Sequence, residues 1–203
     1  MAYSDFSIRK AKQSFNLTLV ERGRFFPTIE PVAASPYLIE FLQESLPLAI
    51  AMGSEKARSE LIISPILFEL RKILDRKISF FSGEEFTVDQ SVGLNGTCDF
   101  LISKSPEQLI IEAPAVVIVE AKKENLKGGL GQCMAEMVAA QRFNEANQQP
   151  SQVVYGSVTS GNLWTFLKLE KQTVTIDLTD YLVPPVEKLL GILVWMIQNT
   201  APE

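Results

Sequence analysis

The segment that decides the fold lies in the middle of the chain, where residues 98–122 read CDFLISKSPEQLIIEAPAVVIVEAK. Two apolar runs, 100–102 and 115–119, flank polar turn residues at 105–108. Apolar runs of this length that end at turn residues predict two buried strands. Asp99 precedes the first run, and Glu120 and Lys122 follow the second. Charged groups at the ends of apolar strands cost free energy unless they are paired, so these three side chains are candidates for a functional site.

Strand geometry predicts that the three charged side chains meet. Successive side chains on a strand point to opposite faces, so Glu120 and Lys122 share a face and Ala121 points the other way. If the two strands pair, Asp99 comes near Glu120. Two carboxylates can hold a hard cation such as Mg²⁺, which polarises a phosphoryl oxygen and lowers the pKa of a bound water. Because the lysine can orient that water or offset charge in the transition state, the pattern indicates metal-assisted hydrolysis of a phosphodiester bond.

This spacing of charged residues resembles a known family. Asp99, separated by twenty residues from Glu120-Ala121-Lys122, is similar to the motif of the PD-(D/E)xK nuclease superfamily, which has the restriction-endonuclease-like fold. Cys98 stands where the family name has proline, a position that commonly varies. The resemblance implies Mg²⁺ or Mn²⁺ as cofactor and Asp99, Glu120 and the carbonyl of Ala121 as metal ligands. It also implies Asp99, Glu120 and Lys122 as catalytic residues, with Lys122 positioning the nucleophilic water.

The order of the predicted elements matches the αβββαβ core of that superfamily over about residues 54–158. In chain order they are a helical segment at 54–76, strands at 77–88, 97–102 and 115–122, a helix at 125–147 and a strand at 153–158. We therefore expect an α/β fold with a central mixed β-sheet flanked by helices and a restriction-endonuclease-like core. Strands at 163–169 and 173–178 and a helix at 186–198 are predicted as C-terminal additions. The predicted domains are a nuclease-like domain at 54–203 and an N-terminal extension at 1–53 that packs on it.

Three further residues are candidates for supporting roles. In the superfamily an acidic residue on the opening helix often reaches the metal site, and Glu55 and Glu60 both fit that description. The alternative is that each is a solvent-facing residue of an amphipathic helix. Gln132 resembles a glutamine motif found in several nuclease subfamilies. Those subfamilies often have a tyrosine four residues later, where this chain has Glu136, so a polar helix stripe is the alternative for both.

Prolines fall inside two of the predicted helices. Ser35 and Pro36 are typical of a helix start, but Pro47 is expected to interrupt that helix or end it early. Pro65 either kinks a single helix at 54–76 or begins a second one.

Composition excludes several kinds of hydrolase. The 203-residue chain contains no histidine, which removes Ser-His-Asp and Cys-His nucleophiles and histidine-based zinc sites. The two cysteines, Cys98 and Cys133, lack a paired spacing, and we expect reduced core thiols in a cytoplasmic protein. The first ten residues lack the apolar core of a signal peptide, and the longest apolar run, 189–197, is too short to cross a bilayer.

Two functional hypotheses follow. The first is a Mg²⁺-dependent nuclease that acts on DNA, with RNA as the alternative substrate and with endo- or exonuclease action open. The resemblance also leaves a homodimer open, because many relatives cut both strands as dimers. The second is a non-catalytic protein of the same fold that binds nucleic acid or a protein partner. The net charge of −5 argues against a strongly basic surface but does not exclude a local basic groove, for which Lys122, Lys123, Lys127 and Arg142 are the candidates.

Overall fold

The computed structural model describes residues 1–123, 125–151 and 153–200. The strands are β1 (Thr18–Arg22), β2 (Ser79–Glu85), β3 (Thr97–Ser103), β4 (Ala115–Ala121), β5 (Val153–Thr159), β6 (Leu163–Glu170), β7 (Thr173–Asp177) and β8 (Tyr181–Leu182). The helices are α1 (Ile8–Ser14), α2 (Pro36–Met52), α3 (Glu55–Arg58), α4 (Ser64–Ile73), α5 (Leu126–Ala146) and α6 (Val186–Gln198). A π-helical turn, Ser59–Ile63, joins α3 to α4.

All eight strands within those ranges belong to one mixed sheet. The strand order is β1-β7-β6-β5-β4-β3-β2, and β8 pairs with the beginning of β6. The pairs β1–β7 and β4–β5 are parallel, and the other pairs are antiparallel. A parallel pair needs a long crossover connection, which α5 provides between β4 and β5. The predicted α/β class with a central mixed sheet is confirmed.

The two faces of the sheet pack against different helices. Apolar residues of α2, α4 and α6 form one core cluster with Val117 and Val119 of β4. Residues of α1 and α5 form a second cluster with Ile118. Since successive strand residues point to opposite faces, β4 is buried on both sides, between two layers of helices.

The N-terminal 53 residues contribute to this sheet and to both helical layers. β1 pairs with β7 at one edge, from Thr18 opposite Thr173 to Arg22 opposite Asp177. Tyr3 is buried in the cluster beneath α5, and its hydroxyl donates to the carbonyl of Phe86 at 2.6 Å. The segment predicted as an N-terminal extension therefore supplies the strand that forms one edge of the sheet.

The prediction that Pro47 would interrupt or shorten its helix is wrong. As predicted, Ser35 caps α2, but α2 continues past Pro47 to Met52 and ends at Gly53, which has φ 66°. Pro47 and Gln43 are both exposed. Water can therefore bond to the Gln43 carbonyl, which the proline cannot, and the helix loses little by continuing.

Pro65 lies in one continuous helical run that extends from α3 through the π-turn to α4. A residue with an N–H at this position would bond to the carbonyl of Leu61, but proline has none. The hydroxyl of Ser45 in α2 donates to the Leu61 carbonyl instead, at 2.7 Å. The π-turn and this bond between helices explain how the run passes through Pro65.

Both cysteines are buried and free, which confirms the prediction of unpaired core thiols. Within residues 1–123, 125–151 and 153–200, no helix is both long enough and apolar enough to span a bilayer.

Candidate active site

The candidate site lies where β3 begins and β4 ends. The antiparallel pairing of these strands includes Phe100 opposite Val119, and one step further outward lie Asp99 and Glu120. Residues opposite each other in antiparallel strands place their side chains on the same face. At the end of the two strands, a side chain extends the hydrogen bonding between β3 and β4. Oδ2 of Asp99 accepts a hydrogen bond from the backbone N–H of Ala121 at 2.8 Å. The strand pairing on which the sequence interpretation depended is present.

Glu120 is the most enclosed member of this group, with a side chain that is 1% exposed. Its Oε1 accepts a hydrogen bond from Nζ of Lys122 at 2.5 Å, and its Oε2 accepts one from Nε2 of Gln132 at 2.9 Å. The backbone N–H of Lys122 donates to the carbonyl of Thr159 at 2.8 Å, which ties the end of β4 to the end of β5. Both oxygens of the Glu120 carboxylate are thus held in fixed directions.

The electrostatics of the site reflect an excess of carboxylates. Burial, and then the charge of Asp99, raise the pKa of Glu120 to about 8. Burial also raises the pKa of Asp99, although the N–H of Ala121 opposes that shift. Burial lowers the pKa of Lys122, but the adjacent Glu120 carboxylate outweighs it and the net shift is upward. One ammonium group therefore does not balance the negative charge of this site, and an additional cation would stabilise both ionised carboxylates.

The two candidate glutamates of the opening helix lie in different places. Oε1 of Glu55 accepts a hydrogen bond from the backbone N–H of Lys123 at 3.2 Å, and its charge contributes to the raised pKa values of Asp99 and Glu120. The Glu60 side chain is 63% exposed and pairs with Lys56 at 3.7 Å. Since residues five positions apart point in different directions around a helix, only one of the two can face the site, and Glu55 does.

Gln132 lies beside the carboxylates, together with Glu136, and for both residues a polar helix stripe was the alternative interpretation. Nε2 of Gln132 donates to Glu120 and also to Oε1 of Glu136, at 3.1 Å. Glu136 is 0% exposed, and within the described residues its Oε2 has no hydrogen-bond partner. The sequence signal for this burial is the apolar and small residues on both sides of Glu136, at 133–135 and 137–140.

Arg58 was not predicted to lie near the site. Its side chain is buried, and Nη1 donates to the carbonyl of Ser160 at 2.6 Å and to Oδ1 of Asn162 at 3.1 Å. Ser160 follows Thr159, which bonds to Lys122. Arg58 therefore fastens α3 to the turn after β5, at the same end of the sheet as the carboxylates.

The basic residues expected near the site lie in two different places. Lys123 and Lys127 are exposed beside the beginning of α5. Arg142 lies fifteen residues beyond Lys127 on α5, about 22 Å along the helix axis. It pairs there with Asp89 at 3.2 Å. The prediction that Arg142 belongs to a basic group near the site is therefore wrong.

The carboxylate oxygens of Asp99 and Glu120 suit a hard divalent cation that takes few of its ligands from the protein. Within the described residues, no three Asp, Glu, Cys or His side chains form a group that could hold a metal ion together. Mg²⁺ commonly uses one or two carboxylates and keeps several waters, and Asp99 and Glu120 supply such a pair. Burial raises the pKa values of the Cys98 and Cys133 thiols, which disfavours the thiolates that a softer metal would require. The uncompensated buried charge and the oxygen donors thus favour Mg²⁺ or Mn²⁺ chemistry.

Comparison of the chain with protein-family models and with curated proteins found no match.

Proposed function

We propose that this protein is a metal-dependent nuclease with a restriction-endonuclease-like core, which hydrolyses phosphodiester bonds of DNA. One observation carries the proposal. Asp99 and Glu120 lie side by side on adjacent strand ends, and Lys122 contacts Glu120 directly. Two carboxylates at a strand end can bind a metal ion, and the lysine beside them provides a positive charge for phosphate chemistry.

Asp99 and Glu120, together with the carbonyl of Ala121, would hold Mg²⁺ or Mn²⁺. A divalent cation at this position supplies Lewis-acid activation of the phosphoryl group and a water of lowered pKa. The direct contact with Lys122 favours the ionised form of Glu120, and the Lys122 ammonium group would orient the attacking water or offset charge on the phosphate. Asp99 and Lys122 are partly exposed, so a substrate phosphate can approach them from solvent.

The local charge around the carboxylates supports a phosphate-bearing substrate. Lys122, Lys123 and Lys127 lie within six positions of one another, at the end of β4 and the beginning of α5. The amino end of a helix also favours anions. The net charge of −5 therefore coexists with a local cationic border around the carboxylates.

A second candidate function is a non-catalytic protein of the same fold that binds nucleic acid. The observation that favours it is the metal-ligand set of two carboxylates, without a third acidic side chain grouped with them in the described residues. Under this hypothesis Asp99, Glu120 and Lys122 form a stabilising charge cluster at the strand end.

The proposal is tested by incubating the protein with Mg²⁺ or Mn²⁺ and a panel of linear duplex, circular duplex, single-stranded and branched DNA, and RNA. We expect cleavage that EDTA abolishes and that falls at least a hundredfold in Asp99→Asn, Glu120→Gln and Lys122→Ala. Glu145→Gln and Lys188→Ala remove charges from exposed helical positions and are expected to match the wild type. Equal cleavage by wild type and Asp99→Asn would contradict the assignment. Binding without cleavage, unchanged by the site variants, would support the second candidate.

A further inference from the structure

A chain of hydrogen bonds extends from the candidate metal ligand into the protein core. Oε2 of Glu120 accepts from Nε2 of Gln132 at 2.9 Å, and the same Nε2 donates to Oε1 of Glu136 at 3.1 Å. The amide nitrogen of a glutamine carries two hydrogens, so both are used. Gln132 and Glu136 are one helical turn apart on α5 and face the end of β4 together.

We propose that Glu136 is a positioning residue, which holds the Gln132 amide in the orientation that fixes the Glu120 carboxylate for metal binding. This inference rests on the proposed function, because it treats Glu120 as a metal ligand. Neither the two-carboxylate motif nor the resemblance assigns a role to an acidic residue at this position.

The burial of Glu136 carries a free-energy cost that a position on the helix surface would avoid. Its side chain is fully enclosed, no described basic residue pairs with it, and its Oε2 has no hydrogen-bond partner in the described residues. A buried carboxyl group with a single hydrogen bond is costly compared with an apolar side chain of similar size. Burial and the nearby Glu120 raise its pKa well above the ordinary range, which favours the less costly protonated form.

The function of the chain of bonds follows from the geometry of an amide. A glutamine amide can turn over and exchange its oxygen and nitrogen, and a turned Gln132 would direct its carbonyl at the Glu120 carboxylate. The carbonyl-type oxygen of Glu136 accepts the second N–H and thereby favours the donating orientation toward Glu120. Since Lys122 already holds the other oxygen of Glu120, the carboxylate plane is fixed from both sides. Groups that orient metal ligands in this way commonly change metal affinity by about ten- to a hundredfold when they are removed.

The experiment measures the dissociation constant of Mn²⁺ alone by calorimetry, without nucleic acid. Glu136→Gln keeps a carbonyl acceptor at the same distance and is expected to bind Mn²⁺ within about threefold of the wild type. Glu136→Met removes the acceptor, and Glu136→Asn keeps an amide but withdraws it by one methylene. Both are expected to weaken binding about ten- to a hundredfold. In a Gln132→Met background, Glu136→Met is expected to have no further effect, because the two residues act in series.

The control is Glu145→Met, an exposed position on the same helix, and circular dichroism of every variant checks that it is folded. If Glu136→Met does not fold, the contrast between Glu136→Gln and Glu136→Asn tests the same point. Equal Mn²⁺ affinity in wild type, Glu136→Asn and any folded Glu136→Met would overturn the role of Glu136 and leave the proposed function standing. A wild-type protein that binds no Mn²⁺ would overturn both.

Discussion

The charges of single residues explain why we propose a bound cation at this site. Glu120 is almost fully enclosed, and Asp99 lies on the neighbouring strand end. Burial and the charge of Asp99 raise the pKa of Glu120, whereas burial and the charge of Glu55 raise the pKa of Asp99. Lys122 is the direct cationic partner of Glu120, and it offsets only part of this charge. Protonation or a bound divalent cation can supply the remainder, and the two compete.

We expect the metal-free protein to lose stability as the pH rises from about 5 to 8. Glu120 has an ordinary pKa of 4.5, and in the fold its pKa is raised to about 8, so between these values the folded state binds a proton that the unfolded chain has released. The unfolded state then holds fewer protons, and the free energy of unfolding falls with pH by up to about 4 kcal/mol. Urea unfolding in EDTA at several pH values measures this slope. Glu120→Gln should make the slope shallower, with Asp99 and Glu136 still contributing to it, and Glu145→Gln should leave it unchanged. Identical slopes in wild type and Glu120→Gln would contradict the prediction.

Glu55 and Glu60 provide a matched pair for testing which glutamate acts on the site. Glu55 contributes to the field at both carboxylates, whereas Glu60 is exposed and pairs with Lys56. We expect Glu55→Gln to weaken Mn²⁺ binding about three- to tenfold, the size of a long-range interaction of roughly 1 kcal/mol. Glu60→Gln should bind like the wild type. A larger loss in Glu60→Gln than in Glu55→Gln would reverse this placement.

At this scale the sequence predicts the charged residues of the strands more readily than those of the helices. Asp99, Glu120 and Lys122 stand out because they lie at the ends of continuous apolar runs. Arg58 does not stand out, since polar residues are ordinary on helices, and the signal for Glu136 is the run of apolar and small residues on both sides of it. The packing of α5 on the sheet and of α3 on the turn after β5 encloses both side chains.

At the scale of elements, contacts between helices determine how the chain accommodates its prolines. Neither Pro47 nor Pro65 interrupts its helix, because the carbonyl that each proline leaves unpaired can bond elsewhere. Gln43 is exposed, so water can bond to its carbonyl. The carbonyl of Leu61 accepts a hydrogen bond from Ser45. A local sequence rule shows that a bond is missing. It does not show which group replaces it, because Ser45 and Leu61 belong to different helices.

Ser45→Ala should therefore destabilise the protein. The substitution removes the serine donor from the carbonyl of the half-buried Leu61, at an expected cost of about 1–3 kcal/mol. Chemical denaturation measures it, with the exposed helical serine variant Ser14→Ala as control. In a Pro65→Ala background the backbone N–H returns, so the loss caused by Ser45→Ala should become smaller. The same loss in both backgrounds would show that the serine acts by another contact.

Arg58→Met should loosen the connection between α3 and the turn after β5. The variant keeps much of the aliphatic volume but removes the donor to Ser160 and Asn162, and we expect a loss of about 2–4 kcal/mol. A nearby exposed position on the same helix provides the control Lys56→Met, which should change stability by less than about 0.5 kcal/mol. Equal stability of the two variants would show that the hydrogen bonds of Arg58 add little.

At the scale of the whole molecule, the order of elements could be predicted but the complete sheet could not. The αβββαβ order from 54 to 158 follows from local periodicity and turn residues, and the mixed sheet follows from the resemblance of that order to a known core. The parallel pairing of β1 with β7 joins Thr18 to Thr173, and no local pattern indicates a contact across so many residues. The N-terminal segment thus completes the sheet on the side away from β3 and β4.

The central claim is that Asp99, Glu120 and Lys122 support metal-dependent phosphodiester hydrolysis. The most direct measurement is the rate of Mg²⁺-dependent cleavage of labelled DNA by the wild type and by Asp99→Asn, each checked for folding and purified identically. We expect cleavage that requires the metal and a rate at least a hundredfold lower in Asp99→Asn. Equal rates in the two proteins, or no Mg²⁺-dependent cleavage of any DNA by the folded wild type, would contradict it.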